Sequence, residues 1–396
     1  MGELARRHCD ACGNTDLVRF ADLGAVPVRC GVHYADRGEA LASPWGRVVL
    51  ASCPDCGYVR NLCFDPALVS YDPSMDMNLD HSPAFGQLTT EIVERVAERF
   101  ELAGARVLDI GCAQGALLRQ LCRRAGCTGT GWDPAYTGPP GPDGSGASFH
   151  ATTAPRGDDL PSFDAVICRH WLEHLTDPYE FLLDLRWQLG ERAGRAYLEV
   201  PDAGYDLATA GWQVIYPHVS YFDGYSLRRI AARAGWRVDA TGGWFGDTLR
   251  WVELSANVTP GPADGDGHRL PGPAARDRHL AMIQGLADRY TAERQGWRQR
   301  IERLAAQGAR PVLWGAGSRS VQFLAAVDPD RRLSAVVDLN PRKWGRHLPG
   351  RGHRVDPPES LASLQPRVVI LTNPAYRDEV SKDLAGLGVA ADLCLA

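Results

Sequence analysis

The sequence predicts an α/β protein with two Rossmann-like units behind a small cysteine-rich N-terminal module. Three observations carry this prediction. Residues 105–258 and 310–396 alternate apolar strand-like runs with helical stretches, the pattern of a parallel sheet. Each segment opens with a strand that runs into a glycine-rich turn. The first 65 residues instead hold two Cys-x-x-Cys pairs among short β-like runs such as Val48-Val49-Leu50-Ala51.

A chain of 396 residues exceeds one ordinary core, so two or three domains are expected. A hydrophobic share of 44% and a charged share of 23% are those of soluble globular proteins. A net charge of −5 argues against a general nucleic-acid binder. No apolar run is long enough to span a bilayer, which argues against a membrane partner. No apolar signal stretch follows Met1-Gly2-Glu3-Leu4-Ala5-Arg6-Arg7, so a cytoplasmic protein is expected. In that reducing compartment, paired cysteines argue for metal before disulfide.

Cys9-Asp-Ala-Cys12-Gly and Cys53-Pro-Asp-Cys56-Gly repeat one pattern, two thiols followed by a glycine that relaxes the turn. Four thiolates satisfy tetrahedral zinc and leave no open position, so a structural ion is expected. The gap of about 40 residues is longer than in common zinc fingers and fits a β-rich insertion between the knuckles. Cys30, Cys63, Cys112, Cys122, Cys127, Cys168 and Cys394 read as small buried hydrophobes.

Residues 66–104 read as a connector and then a helix, in which Ile92, Val93, Val96 and Phe100 recur at helical spacing. The stretch Arg106-Val-Leu-Asp109-Ile-Gly111-Cys112-Ala113-Gln-Gly115 is the strongest chemical signal. An apolar strand ends at Asp109 and Gly111, a helix opens near Gly115, and the glycines let a ligand approach the backbone. Roughly twenty residues on, Gly129-Thr-Gly-Trp-Asp133 ends the next strand with an acid suited to ribose hydroxyls. A further strand, Phe163-Asp-Ala-Val-Ile-Cys-Arg169-His170, leads into Trp-Leu-Glu173-His174. Arg169 and His170 stand at the strand end that faces a ligand, and His174 reads as a packing residue of the turn.

This pattern resembles class I methyltransferases that use S-adenosylmethionine (SAM). The resemblance implies that Asp109, Gly111 and Gly115 line the methionine and ribose part of SAM, with Cys112 and Ala113 in the same turn. It also implies that Asp133 holds the ribose.

Val214-Ile-Tyr216-Pro-His218-Val-Ser-Tyr221-Phe222 is dense in groups able to hold or move protons. A histidine near neutrality suits a general base, here His218. Two tyrosines, Tyr216 and Tyr221, suit an oxyanion. With this loop the chain resembles, over nearly its whole length, the zinc-containing sugar C-methyltransferases of antibiotic pathways, which act on nucleotide-linked 4-keto deoxysugars. That resemblance implies a zinc-binding module at 1–65, a SAM-dependent domain at 66–259 and a Rossmann-like, substrate-holding domain at 274–396. It implies His218 as the base beside the ketone and Tyr216 as its oxyanion partner. The loop departs from the family pattern: it is one residue shorter, and Pro217 stands where the family has His-Glu. His81, in Asn78-Leu-Asp-His81-Ser-Pro-Ala-Phe85, is a further candidate near the family's active-site tyrosine, for which Tyr71 is the nearest match.

Pro260 to Pro273 reads as a linker rich in Pro, Gly and Asp, and Ala275 to Ala306 as one long helix with Leu280, Ile283, Leu286 and Tyr290 on one side. Val312-Leu-Trp-Gly315-Ala-Gly317-Ser-Arg319-Ser and Val336-Val-Asp338 repeat the strand, turn and acid. Arg319 at a helix start and Asn373 at a later strand end are candidate substrate contacts.

The expected function is SAM-dependent C-methylation of a nucleotide-linked ketosugar in a natural-product pathway, by a monomer or homodimer acting on a small molecule. N- or O-methylation of another intermediate is the alternative within the class. A non-catalytic scaffold that keeps SAM and zinc, and a dinucleotide oxidoreductase using the 312–340 unit, are the readings outside it.

Overall fold

The structure is a computed structural model and describes residues 8–76, 79–189, 194–256 and 272–396. The expected linker lies outside the described residues over 260–271. No helix among the described residues is long and apolar enough to cross a membrane.

The N-terminal segment forms an antiparallel sheet of β1 (Val18–Pro27), β2 (Trp45–Ser52) and β3 (Val59–Asn61). So short a segment buries little surface by itself, and its apolar residues serve two larger cores. Val26, Val48 and Leu50 pack with Ile301, Phe323 and Leu348 of the C-terminal unit. Cys9, Cys53, Cys56 and Tyr58 pack with Leu198, Phe222 and Leu227 of the central unit.

The central sheet contains β4 (Arg106–Ile110), β5 (Thr128–Trp132), β6 (Gly141–Pro142), β7 (Ala147–His150), β8 (Ala165–Arg169) and β9 (Arg195–Pro201). After β9 the short strand β10 (Ser220–Tyr221) leaves this sheet and pairs with β3. β11 (Arg237–Trp244) and β12 (Leu249–Ser255) return as an antiparallel hairpin. The order is β11-β12-β9-β8-β4-β5-β7-β6. The order reverses at β4, with β5 on one side and β8 on the other, and in such sheets ligands bind outside the carboxyl ends at this switch point. The helix Pro83–Phe100 buries Ile92, Val93, Val96 and Phe100 against this sheet's core, as the periodicity predicts.

The C-terminal sheet is wholly parallel: β13 (Val312–Trp314), β14 (Ala335–Val337), β15 (Val355–Asp356), β16 (Val368–Leu371) and β17 (Asp392–Leu395), in the order β15-β14-β13-β16-β17. The expected single helix before it is two, Pro273–Gln284 and Leu286–Ala306. They meet at Gly285, whose ψ of 0° leaves the helical range and ends the first helix there.

Candidate functional site

The glycine turn after β4 has little tolerance for side chains. Gly111 has φ of +79°, and a Cβ there would come 3.2 Å from Cβ of Trp171. Gly115, also at +79°, would drive a Cβ into the Phe149 ring. Ala113, between them, holds φ of +48°, a region that non-glycine residues seldom adopt and that clusters at functional sites. Asp133 ties the next strand end to this turn: its carboxylate accepts from the Ala113 amide at 2.8 Å and the Ala135 amide at 2.7 Å. Gln114 clasps the same loop, donating to the Ala135 carbonyl at 2.9 Å and accepting from the Thr137 amide at 3.2 Å. Asp109 is buried beneath the turn, and burial pushes its carboxyl up to about 7 against the pull of Arg169.

Neighbouring parallel strands set the next feature. Arg169 ends β8 directly beside Glu199 on β9, and the two side chains pair at 2.8 Å. His170 has φ of +52° and lies 3.3 Å from the same carboxylate, which also accepts from Tyr197 Oη at 3.0 Å. Burial alone would raise Glu199; Arg169 and His170 hold it down to about 2 instead. Nη2 of Arg169 is buried with no hydrogen-bond partner among the described residues. A cleft with a glycine cradle, a strand-end acid and an orphaned guanidinium donor fits SAM, which carries a ribose and a carboxylate.

The turn after β8 brings Glu173 and His174 against the loop that holds His218. The rings of His174 and His218 meet edge to face, with centroids 5.0 Å apart. One nitrogen from each and a carboxylate oxygen of Glu173 lie within 4.8 Å of one another. Nδ1 of His174 lies 3.0 Å from the Pro217 carbonyl and 3.0 Å from Tyr71 Oη. A carbonyl only accepts, so Nδ1 carries the proton and Nε2 keeps its lone pair. His218 likewise gives a ring N–H to the Gln213 carbonyl and keeps one lone pair. Burial pushes His174 down to about 4; burial, with His174, His170 and Arg319 nearby, pushes His218 well below its ordinary range. Both rings are therefore neutral bases at neutral pH.

The other sequence candidates take different places. The Tyr216 hydroxyl is engaged by the N-terminal segment, accepting from the Asp65 amide at 2.8 Å and donating to the Cys63 carbonyl at 3.3 Å. Tyr221 donates to the Ile215 carbonyl at 3.2 Å and so braces the loop. The Tyr221 ring packs on His218 while its hydroxyl is spent, and the hydroxyl that meets His174 is Tyr71's. His81 is exposed on the turn before the helix Pro83–Phe100. Arg319 reaches from the C-terminal unit to pair with buried Asp206 at 3.2 Å. The Asn373 side chain accepts from the Ala375 amide at 3.1 Å and caps its own turn.

Sequence reasoning named Tyr71 only as the nearest match to a family tyrosine, and it missed Glu173 and the polar role of His174. The available signal was the run Arg169-His170-Trp-Leu-Glu173-His174, four ionisable groups within six residues of one strand end.

At the N-terminus, Cys9 and Cys56 sulfurs are 3.4 Å apart, as are those of Cys12 and Cys53, and all four lie within 4.8 Å of one another. Tetrahedral zinc with bonds of about 2.3 Å requires sulfurs about 3.8 Å apart, so the donor set fits. Gly13 and Gly57, at φ of +78° and +71°, close the two knuckles by donating to the Cys9 and Cys53 carbonyls.

The second glycine turn repeats the first, but its strand-end acid is paired with a lysine of the protein itself. Asp338 accepts from the Ala316 amide at 2.7 Å, as Asp133 does from Ala113. Lys343 then pairs with Asp338 at 3.0 Å, and His33 donates to the Ala316 carbonyl at 2.8 Å. The acid a dinucleotide ribose would use is thus engaged by Lys343 and the Ala316 amide.

Comparison with known proteins agrees with this geometry. A methyltransferase-domain family model matches residues 84–241, and one described as a C-methyltransferase C-terminal domain matches 274–390. No curated protein matches the chain. Solved structures that resemble it include a SAM-dependent methyltransferase from Mesorhizobium loti, 13% identical, covering 43% of this chain and 99% of that one, with a TM-score of 0.35. The magnesium protoporphyrin IX methyltransferase of Synechocystis PCC 6803, with bound S-adenosylhomocysteine, is 20% identical, covering 43% of this chain and 83% of its own, at 0.32. The cyclopropane synthase MmaA2 of Mycobacterium tuberculosis is 12% identical, covering 48% and 90%, at 0.34. The central unit has the class I methyltransferase fold.

Proposed function

We propose that this protein, a SAM-dependent methyltransferase by its matched domains, methylates a carbon beside a ketone on a small molecule, a nucleotide-linked ketosugar of a natural-product pathway. The observation that carries the reading is His218: a buried, uncharged imidazole with a lone pair, next to the strand end where the cofactor cleft opens.

Bound SAM supplies a methyl group already activated on a sulfonium, which leaves as a neutral thioether. Gly111, Gly115 and Asp133 hold its ribose end, and Nη2 of Arg169 offers a donor to its carboxylate. The chain's own task is to make the acceptor carbon nucleophilic. His218 takes the proton from the carbon next to the ketone, and the C–H electron pair stays behind as an enolate. The Tyr71 hydroxyl, kept neutral by burial, donates its hydrogen to the enolate oxygen. Arg319 and Asn373 approach from the C-terminal unit and orient the acceptor. In the N-terminal segment, Cys9, Cys12, Cys53 and Cys56 hold a structural zinc.

Incubating a panel of nucleotide-linked ketosugars with the protein and S-adenosylhomocysteine in deuterated water tests the reading. Deuterium entering the carbon beside the ketone, and its loss in His218→Asn, support it. Pro217 removes a carboxylate from the loop and is the one feature that favours N- or O-methylation; product methylated on nitrogen or oxygen without deuterium uptake identifies that alternative.

A further inference from the structure

Glu173 has no part in that chemistry, yet its setting is unusual. The residue is 2% exposed, and both carboxylate oxygens are buried with no hydrogen-bond partner among the described residues. Buried carboxylates ordinarily collect donors. Here His174 and His218 each give their one N–H to a backbone carbonyl, so their remaining nitrogens carry lone pairs, and His170 Nδ1 stays 3.8 Å away.

We propose that Glu173 is a positioning residue for His218: its carboxylate holds the positive charge that appears on the imidazole when His218 takes a proton. The proposal rests on His218 being the base. A protonated His218 gains one new N–H donor, and Glu173, with a carboxylate oxygen within 4.8 Å of a His218 nitrogen, is a buried acceptor that lacks a hydrogen-bond partner among the described residues. The other groups around the pair cannot take this role. His170, 3.8 Å from Glu173, lies against the Glu199 carboxylate at 3.3 Å, and Arg319 carries the same sign as an imidazolium. The Glu199 carboxylate is committed to Arg169, His170 and Tyr197, and Asp206 to Arg319. His174, Tyr71, Tyr221 and Cys168 are neutral, each shifted by burial toward its uncharged form. An imidazolium there without Glu173 would be a buried, unpaired charge.

The test needs no acceptor. Full-length protein labelled with 15N-histidine and saturated with S-adenosylhomocysteine is titrated by NMR across pH, with His218→Asn used to assign the ring signals. Above the pH at which Glu173 itself takes up a proton, so that its carboxylate is ionised, the imidazolium form of His218 is expected to be at least about ten-fold more populated in the wild type than in Glu173→Gln. Glu173→Asp, which keeps the charge, is expected to restore part of the difference. Calorimetry with S-adenosylhomocysteine checks that both variants bind like the wild type. Identical behaviour of His218 in wild type and Glu173→Gln, including a ring that stays neutral throughout in both, overturns the proposal. A second zinc ion per chain that Glu173→Gln loses also overturns it, by making the carboxylate a metal ligand. Failure of the ketone reading alone would appear in the deuterium experiment and leave this titration unchanged.

Discussion

The hydroxyl oxygen of Tyr71 lies 3.0 Å from Nδ1 of His174, which joins the connector after the N-terminal segment to the turn after β8. Because the Nδ1 proton is shared between Tyr71 Oη and the Pro217 carbonyl, the hydrogen of Tyr71 remains free to point at substrate. Tyr71→Phe is therefore expected to lower kcat about 100-fold, the usual effect of removing one oxyanion donor. SAM affinity by calorimetry should be unchanged. An unaltered kcat would return Tyr71 to a packing role.

Burial pushes Glu173 up to about 7 from an ordinary value of 4.5, so folding takes up a proton there. The stabilising contribution is complete below about 4.5 and is lost as pH rises through about 7. Glutamine mimics the neutral acid. Thermal unfolding should show Glu173→Gln matching the wild type near the acid end of this window and exceeding it by about 3 kcal/mol above it. Equal stabilities throughout would mean that Glu173 titrates normally.

Gly115→Ala meets the Phe149 ring and demands a left-handed backbone at once. A loss of about 1–3 kcal/mol in stability is expected, with SAM binding abolished because the turn cannot close over the cofactor. Native affinity for SAM in this variant would show that the cleft lies elsewhere.

One zinc per chain is expected by metal analysis, lost in Cys53→Ser. Since Cys9, Cys53 and Cys56 sit in the core shared with β9, this variant should also melt earlier. Retention of the metal would exclude the four-cysteine site.

Much of the fold was legible in the sequence because local signals agreed with it. The two strand–glycine–helix turns follow from Gly111, Gly115, Gly315 and Gly317, and the knuckles from paired cysteines and their glycines. The strand-end placement of the cofactor candidates was legible for the same reason: Asp109, Asp133 and Arg169 lie at or beside the ends of β4, β5 and β8, where the chain fixes their direction. The proton-handling cluster was not, because it depends on where loops cross. Tyr71 is over a hundred positions from His174 in sequence yet bonds to it. Tyr216, two residues from His218, turns instead to Cys63 and Asp65. Adjacency in sequence suggested Tyr216, whereas packing brings Tyr71.

Methylation of ketosugar acceptors by wild type and His218→Asn, run side by side in deuterated water, tests the central claim most directly. The account predicts a new carbon–methyl bond with deuterium exchange at that carbon in the wild type. In His218→Asn both should fall by about 100-fold or more while SAM still binds. Full methyl transfer by His218→Asn, or transfer to oxygen or nitrogen without exchange, would contradict it.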